Sequence, residues 1–191
     1  MTLKFTTAEE SSAQNGVKCL VYGLAGMGKT VLTATCPTPI LLSAESGLLS
    51  LRKANLERLF GVGNPWISYH IPVIQISTVD DLREAYEWAA RSTEAQGFAT
   101  IALDSISEIA EVVLNNAKRQ VKDPRQAYGE LLEKMQTLIR LFRDLPNKNV
   151  YFAAKMEPQK DELSGVTRFL PSMPGSKLGN QLPFFFPSVW M

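Results

Sequence analysis

Eight consecutive residues, Gly23-Leu24-Ala25-Gly26-Met27-Gly28-Lys29-Thr30, fit the spacing G-x-x-x-x-G-K-[ST]. That spacing suits phosphate groups. Gly23, Gly26 and Gly28 let backbone N–H groups turn inward toward an anion with no Cβ in the way. A helix starting at once presents its N-terminus to the same oxygens. Lys29 reaches the β and γ phosphates as a point charge, and the Thr30 hydroxyl binds magnesium. Leu24, Ala25, Met27 and Val31 complete the cradle. With glycine near 7% of residues, a chance match in such a chain is about a 1% event. The run predicts a P-loop holding ATP and Mg2+.

Such a loop needs a second carboxylate in the magnesium shell, at the end of a neighbouring strand. Asp104 closes the apolar run Thr100 to Leu103 and fills that role, although Asp and Ser at such a place also serve as helix N-caps. Hydrolysis further needs a group that orients or deprotonates water. Two acids compete for it. Glu45 ends the second apolar run and faces the carboxyl edge, where ligands of open α/β sheets bind. Glu108, four residues after Asp104, is its rival.

The elements that must position these residues are legible as buried strands alternating with amphipathic helices. VKCLVYG (17–23) reads as a strand covered on both faces, PILLSA (39–44) and IPVIQI (71–76) as a second and third buried strand, and FATIAL (98–103) and NVYFAA (149–154) as the fourth and fifth strands. A helix of about two turns follows the loop and stops at Pro37. Ser77 to Asp80 cap a helix with Leu82, Ala85, Tyr86 and Ala89 on one face. Further helices are expected from about Ser107 to Lys118 and from about Tyr128 to Leu145. Residues 156–179 carry no periodicity and read as a long loop, functional or mobile. The tail QLPFFFPSVWM reads as a last strand cut short, with Phe184 to Phe186 in the core or in a buried contact with a missing segment. This alternation predicts an α/β fold with a mainly parallel central sheet flanked by helices. Residues 1–16 form an N-terminal arm and residues 17–191 the domain.

The chain has 191 residues, 45% of them apolar and 20% charged, as in an ordinary globular domain. A net charge of +1 supplies no global basicity, so nucleic acid would need a local patch. Cys19 and Cys36 are too few for a disulfide framework, and no apolar stretch reaches 18 residues. These features predict a cytoplasmic protein without membrane contact. The single histidine, His70, lacks companions for a zinc site.

The motifs together resemble the RecA-like P-loop ATPase core. The likeness is greatest to phage RecA-like single-strand annealing and recombination ATPases, AAA-type NTP-binding phage proteins. It runs through LVYGLAGMGKT, ILLSAESGLLSL, TIALDSISEI, AYGELLEKM, NVYFAAK and MPGSKLGNQLPFFF. The resemblance implies that Glu45, with Lys29 and Asp104, carries catalysis. It places the strand before Lys155 between those of the P-loop and Asp104, so that Lys155 senses the γ-phosphate, where relatives tend to carry His or a neutral polar group. A surface lysine is the other reading of Lys155.

By position, the resemblance implies two loops on single-stranded DNA. The first, 118–125, holds Lys118, Arg119, Lys122 and Arg125, and the second, 156–179, holds Lys160, Arg168 and Lys177, with Phe169 available to stack on bases; a solvated basic turn is the other reading. Phe5 and Ala8 resemble a Phe-x-x-Ala hook between subunits. Self-association into a ring or filament is expected, with a single-strand-binding protein as a further partner and the host cytoplasm as the location if the chain is phage-encoded. Two other readings are a nucleotide-gated DNA or protein binding module with weak turnover, and a P-loop small-molecule kinase.

Overall fold

The computed structural model describes residues 6–13, 16–45, 47–121, 123–161 and 164–191. The apolar runs become β1 (Lys18–Gly23), β2 (Pro39–Ser43), β3 (Val73–Gln75), β4 (Thr100–Asp104) and the first half of β5 (Asn149–Lys160). The tail supplies β7 (Ser188–Trp190). These six pair in the order β3-β2-β4-β5-β1-β7, every pair parallel. All carboxyl ends therefore meet at one edge, with β5 between the P-loop strand β1 and the Asp104 strand β4. β1, β2 and β4 are buried almost throughout, which is why they read as continuous apolar runs rather than alternating ones.

Helices cover the two faces unequally. One face carries α4 (Val79–Arg91), α5 (Ile106–Gln120) and α6 (Pro124–Arg143), whose Leu82, Ile109, Leu131, Met135 and Phe142 join Leu20, Ile101 and Phe152 in the large core. The other face holds a small cluster around Val21, Leu41, Ala102 and Tyr151, covered by Leu32, Leu48 and Leu51. The cap of α4 forms as expected: Thr78 Oγ1 accepts from the Asp81 N–H and the Asp81 carboxylate accepts from the Thr78 N–H. α1 (Ala8–Ala13) lies in the arm. No helix among the described residues is long and apolar enough to cross a membrane.

Five expectations are corrected. β3, read as a buried strand, has Val73 and Gln75 exposed. The helix after the P-loop, α2 (Lys29–Leu32), is a single turn that tightens into a 3₁₀ turn over Thr33–Thr35. A short helix, α3 (Lys53–Phe60), follows β2 and was not anticipated. Residues 156–179 are not an irregular loop: β5 runs on to Lys160 and folds back antiparallel as β6 (Thr167–Pro171), with Met156 opposite Pro171. Pro158 is tolerated because this half of β5 lies beyond the main sheet, as a two-stranded extension. The aromatic run is split, since Phe186 is buried against Phe152 with centroids 4.7 Å apart while Phe184 is 88% exposed.

The chain after β6 follows α6 down its length. Gly175 lies against Tyr128, Gln136 donates to Gln181 of α7 (Ser176–Gln181) at 2.7 Å, and Arg143 donates to the Phe185 carbonyl at 3.2 Å. The opposite edge of the sheet is pinned by lysines. Lys18 donates to the carbonyls of Leu145 and Lys148, both at 2.7 Å, and Lys148 donates to those of Ala95 and Phe98.

Candidate functional site

The parallel sheet brings the sequence-predicted groups to one edge. Register puts Ser43 beside Asp104 and Gly23 beside Lys155. Glu45 follows two residues after Ser43, whose hydroxyl accepts from the Glu45 N–H at 3.1 Å and fixes the turn. Gly26 and Gly28 adopt left-handed backbone, φ 78° and 85°, the conformation that favours glycine and lets the loop amides face a common centre.

Asp104 is 3% exposed, and its Oδ2 has no hydrogen-bond partner. Burial raises its pKa, and a hydrogen bond from the Thr30 hydroxyl works against that rise. The capping alternative for Asp104 falls to its neighbour: Ser105 Oγ accepts from the Glu108 N–H at 3.3 Å and caps α5. The same Ser105 hydroxyl donates to Glu45 Oε1 at 3.0 Å, so the end of β4 holds the side chain of the acid after β2.

Lys29 donates to the carbonyls of Gly23 and Leu24, both at 2.8 Å. Its pKa is lowered chiefly by burial, with Asp104 and Glu45 raising it and Lys155 lowering it, so all four groups share one electrostatic field. Lys155 pairs with Glu108 on α5, and its N–H donates to Ser107 Oγ at 2.9 Å. Glu108 is thus engaged by a lysine, whereas Glu45 stands beside Asp104.

An orphaned, buried carboxylate oxygen next to a threonine hydroxyl fits a magnesium ion, which takes one or two protein ligands and completes its shell with phosphates and water. Among the described residues no cluster of three His, Cys, Asp or Glu offers a self-sufficient metal cage. At Gly26 and Gly28 no atom lies within 4 Å of where a Cβ would stand, so the space over the loop is open. A cleft of about 840 Å³ extends from Gly26 and Val31 to Ser50, Asn55, Arg58 and Phe60, a volume suited to a nucleotide.

Sequence reasoning missed two contributors. The α3 wall of this cleft was signalled only by Leu56, Leu59 and Phe60 at helical spacing. The other is Tyr151 on β5, whose hydroxyl donates to the Lys29 carbonyl at 2.7 Å. Burial raises the Tyr151 pKa, so it stays a donor.

The DNA-directed residues fall in two groups. Lys118, Arg119 and Arg125 are exposed where α5 meets α6, and Lys122 lies outside the described residues. Lys160 and Arg168 are exposed on the β5–β6 hairpin with Phe169. Of the proposed hook, Ala8 is exposed on α1 and Phe5 lies outside the described residues.

No curated protein is similar enough in sequence to match. Among solved structures, a KaiC-like protein from the hyperthermophilic archaeon Pyrococcus horikoshii OT3 aligns at 16% identity with a TM-score of 0.41, covering 85% of this chain and 81% of that one. The family described as AAA domain matches residues 15–186, a span that contains the P-loop, Glu45, Asp104 and the hairpin. With nearly its whole length matched, the chain belongs to the AAA domain family and is a P-loop ATPase domain.

Proposed function

We propose that this domain hydrolyses ATP with magnesium and does so while holding single-stranded DNA, in strand annealing or recombination of the phage type. The observation that carries the catalytic half is the meeting of Asp104, Thr30, Lys29 and Glu45 at one strand edge. Magnesium ATP supplies the phosphoanhydride to be broken and the charge that polarises it. Thr30 and Asp104 would hold the metal, and ionised Asp104 then gains the cation that its buried oxygen lacks. Lys29 exchanges its own loop carbonyls for phosphate oxygens. Glu45, steadied at Oε1 by Ser105, leaves Oε2 to orient a water and take its proton. Lys155 stands next to the P-loop strand and exchanges Glu108 for the γ-phosphate.

The DNA half rests on the resemblance and is supported by the exposed cations at the α5–α6 junction and on the hairpin that continues directly from Lys155. Self-association into a ring or filament, with ATP near the subunit boundary, and cooperation with a single-strand-binding protein belong to the same proposal. Magnesium-dependent ATP turnover with and without single-stranded DNA, beside Lys29→Ala and Glu45→Gln, tests it. The expected result is a rate that DNA raises and both substitutions abolish. A rate indifferent to DNA removes the recombination reading, and full activity in Glu45→Gln removes its catalytic role.

A further inference from the structure

α6 ends just before β5 begins, so its N-terminus points toward the carboxyl edge of the sheet. Its 20 residues span about 30 Å, against about 17 Å for the five-residue β4, so α6 overshoots that edge. Tyr128 lies near its start. The neighbouring Ala127 and the later Leu131 and Met135 are buried, whereas Tyr128 is 42% exposed, which leaves the core no reason to require an aromatic ring there.

The surroundings of that ring form a small site. The Lys118 ammonium sits 5.7 Å from the ring centroid. Gly175 has φ 83°, and a Cβ there would approach Tyr128 Cδ1 to 3.5 Å, so the Pro174-Gly175 turn lies close against the ring edge. Tyr128, Leu132, Pro174 and Lys177 line a cavity of about 310 Å³ between α6 and α7, and Lys177 is exposed at its rim. Arg125 stands exposed one helical turn before Tyr128, on the same side. The nearby acids are engaged: Asp123 caps α6 through the Arg125 N–H, and Glu130 pairs with Lys134 at 2.9 Å. An aromatic face, a pocket of nucleotide size and the cations Lys118, Arg125 and Lys177 around them together match a base with its flanking phosphates.

We infer that Tyr128 is a base-stacking residue and that the cavity it shares with Pro174, Gly175 and Lys177 receives one nucleotide of single-stranded DNA, with Lys118 and Lys177 on the adjoining phosphates. This rests on the proposed DNA function and assigns it a site that neither basic loop supplies alone. The site also adjoins the nucleotide edge, because the Ser172 N–H, three residues before Gly175, donates to the Lys155 carbonyl at 2.7 Å.

The test is fluorescence anisotropy of the whole chain, with magnesium ATP, on a labelled oligo-dT and on an oligonucleotide of equal length made of abasic sites. Tyr128→Leu keeps an apolar side chain but removes the π face, and Tyr128→Phe keeps the face. The expected result is a loss of roughly 5- to 150-fold on oligo-dT for Tyr128→Leu, no loss on the abasic strand, and near-normal binding for Tyr128→Phe. Photocrosslinking of an oligonucleotide containing 5-iodouracil is expected to map to Tyr128. Equal binding of oligo-dT by Tyr128→Leu and the unaltered chain overturns this inference alone. An equal loss on both strands overturns stacking. Failure of the unaltered chain to bind either strand overturns the DNA half of the proposed function, and this site with it.

Discussion

Tyr151→Phe isolates one hydrogen bond under the P-loop. In a regular helix the Thr33 N–H would reach the Lys29 carbonyl, but here it goes to Thr30 and Val31, because α2 tightens after one turn. The Tyr151 hydroxyl supplies the missing donor at 2.7 Å, from a residue only 6% exposed. Phenylalanine keeps the ring and opens no large cavity, so the loss is the hydrogen bond and the carbonyl left without a partner, about 1–3 kcal/mol. A mid-range loss of about 2 kcal/mol lowers Tm by about 4–8 °C for a domain of this size. In urea it moves the midpoint by about 1 M, at a slope of about 2 kcal/mol per molar that the substitution leaves unchanged. Because the carbonyl belongs to Lys29, the lysine proposed to meet the phosphates, ATP should also bind more weakly. Unfolding of Tyr151→Phe within about 0.3 kcal/mol of the unaltered chain, with unchanged ATP affinity, would refute the reasoning.

Three further outcomes are expected. Ser105→Ala removes both the α5 cap and the hold on Glu45, so it should lower Tm through a loss of about 0.5–2 kcal/mol and reduce kcat with KM for ATP unchanged, read by steady-state kinetics. Asp104→Asn removes a buried carboxylate and should raise Tm without nucleotide, while abolishing the magnesium dependence of ATP binding measured by calorimetry. Burial depresses the Lys18 pKa from 10.5 to about 8, with Asp144 partly opposing the shift. Across that window the unfolded chain binds the extra proton, so stability rises with pH from about 8 to about 10.5 and gains nothing from Lys18 below it. Urea midpoints on either side of pH 8 should show part of this rise missing in Lys18→Met.

The sequence made the site legible where local rules and tertiary demands agree. Strands buried on both faces are long apolar runs, so β1, β2 and β4 were readable, and with them the places of Gly23, Glu45 and Asp104. The Thr78 cap is a local exchange of hydrogen bonds and was equally readable. The hairpin was not, because its residues pack on a two-stranded extension where exposure is high and hydrophobicity patterning is weak, and Pro158 argued against a strand. α3 escaped notice because it is eight residues long with only Leu56 fully buried. The Tyr151 hydrogen bond joins residues 122 positions apart, and nothing in the local chain announces it.

β5 belongs to two structures at once, since its first half is the middle strand of the parallel sheet and its second half is one arm of the hairpin, with Lys155 at the junction. A strand of that kind would act as a lever if it tilted at Lys155, the residue beside the P-loop. From Lys155 to Lys160 the arm is about 17 Å long, so a tilt of about 5° at the fulcrum displaces its far end by about 1.5 Å. A shift at Lys155 too small to disturb the core would thereby be larger at the tip, where Lys160 and Arg168 stand.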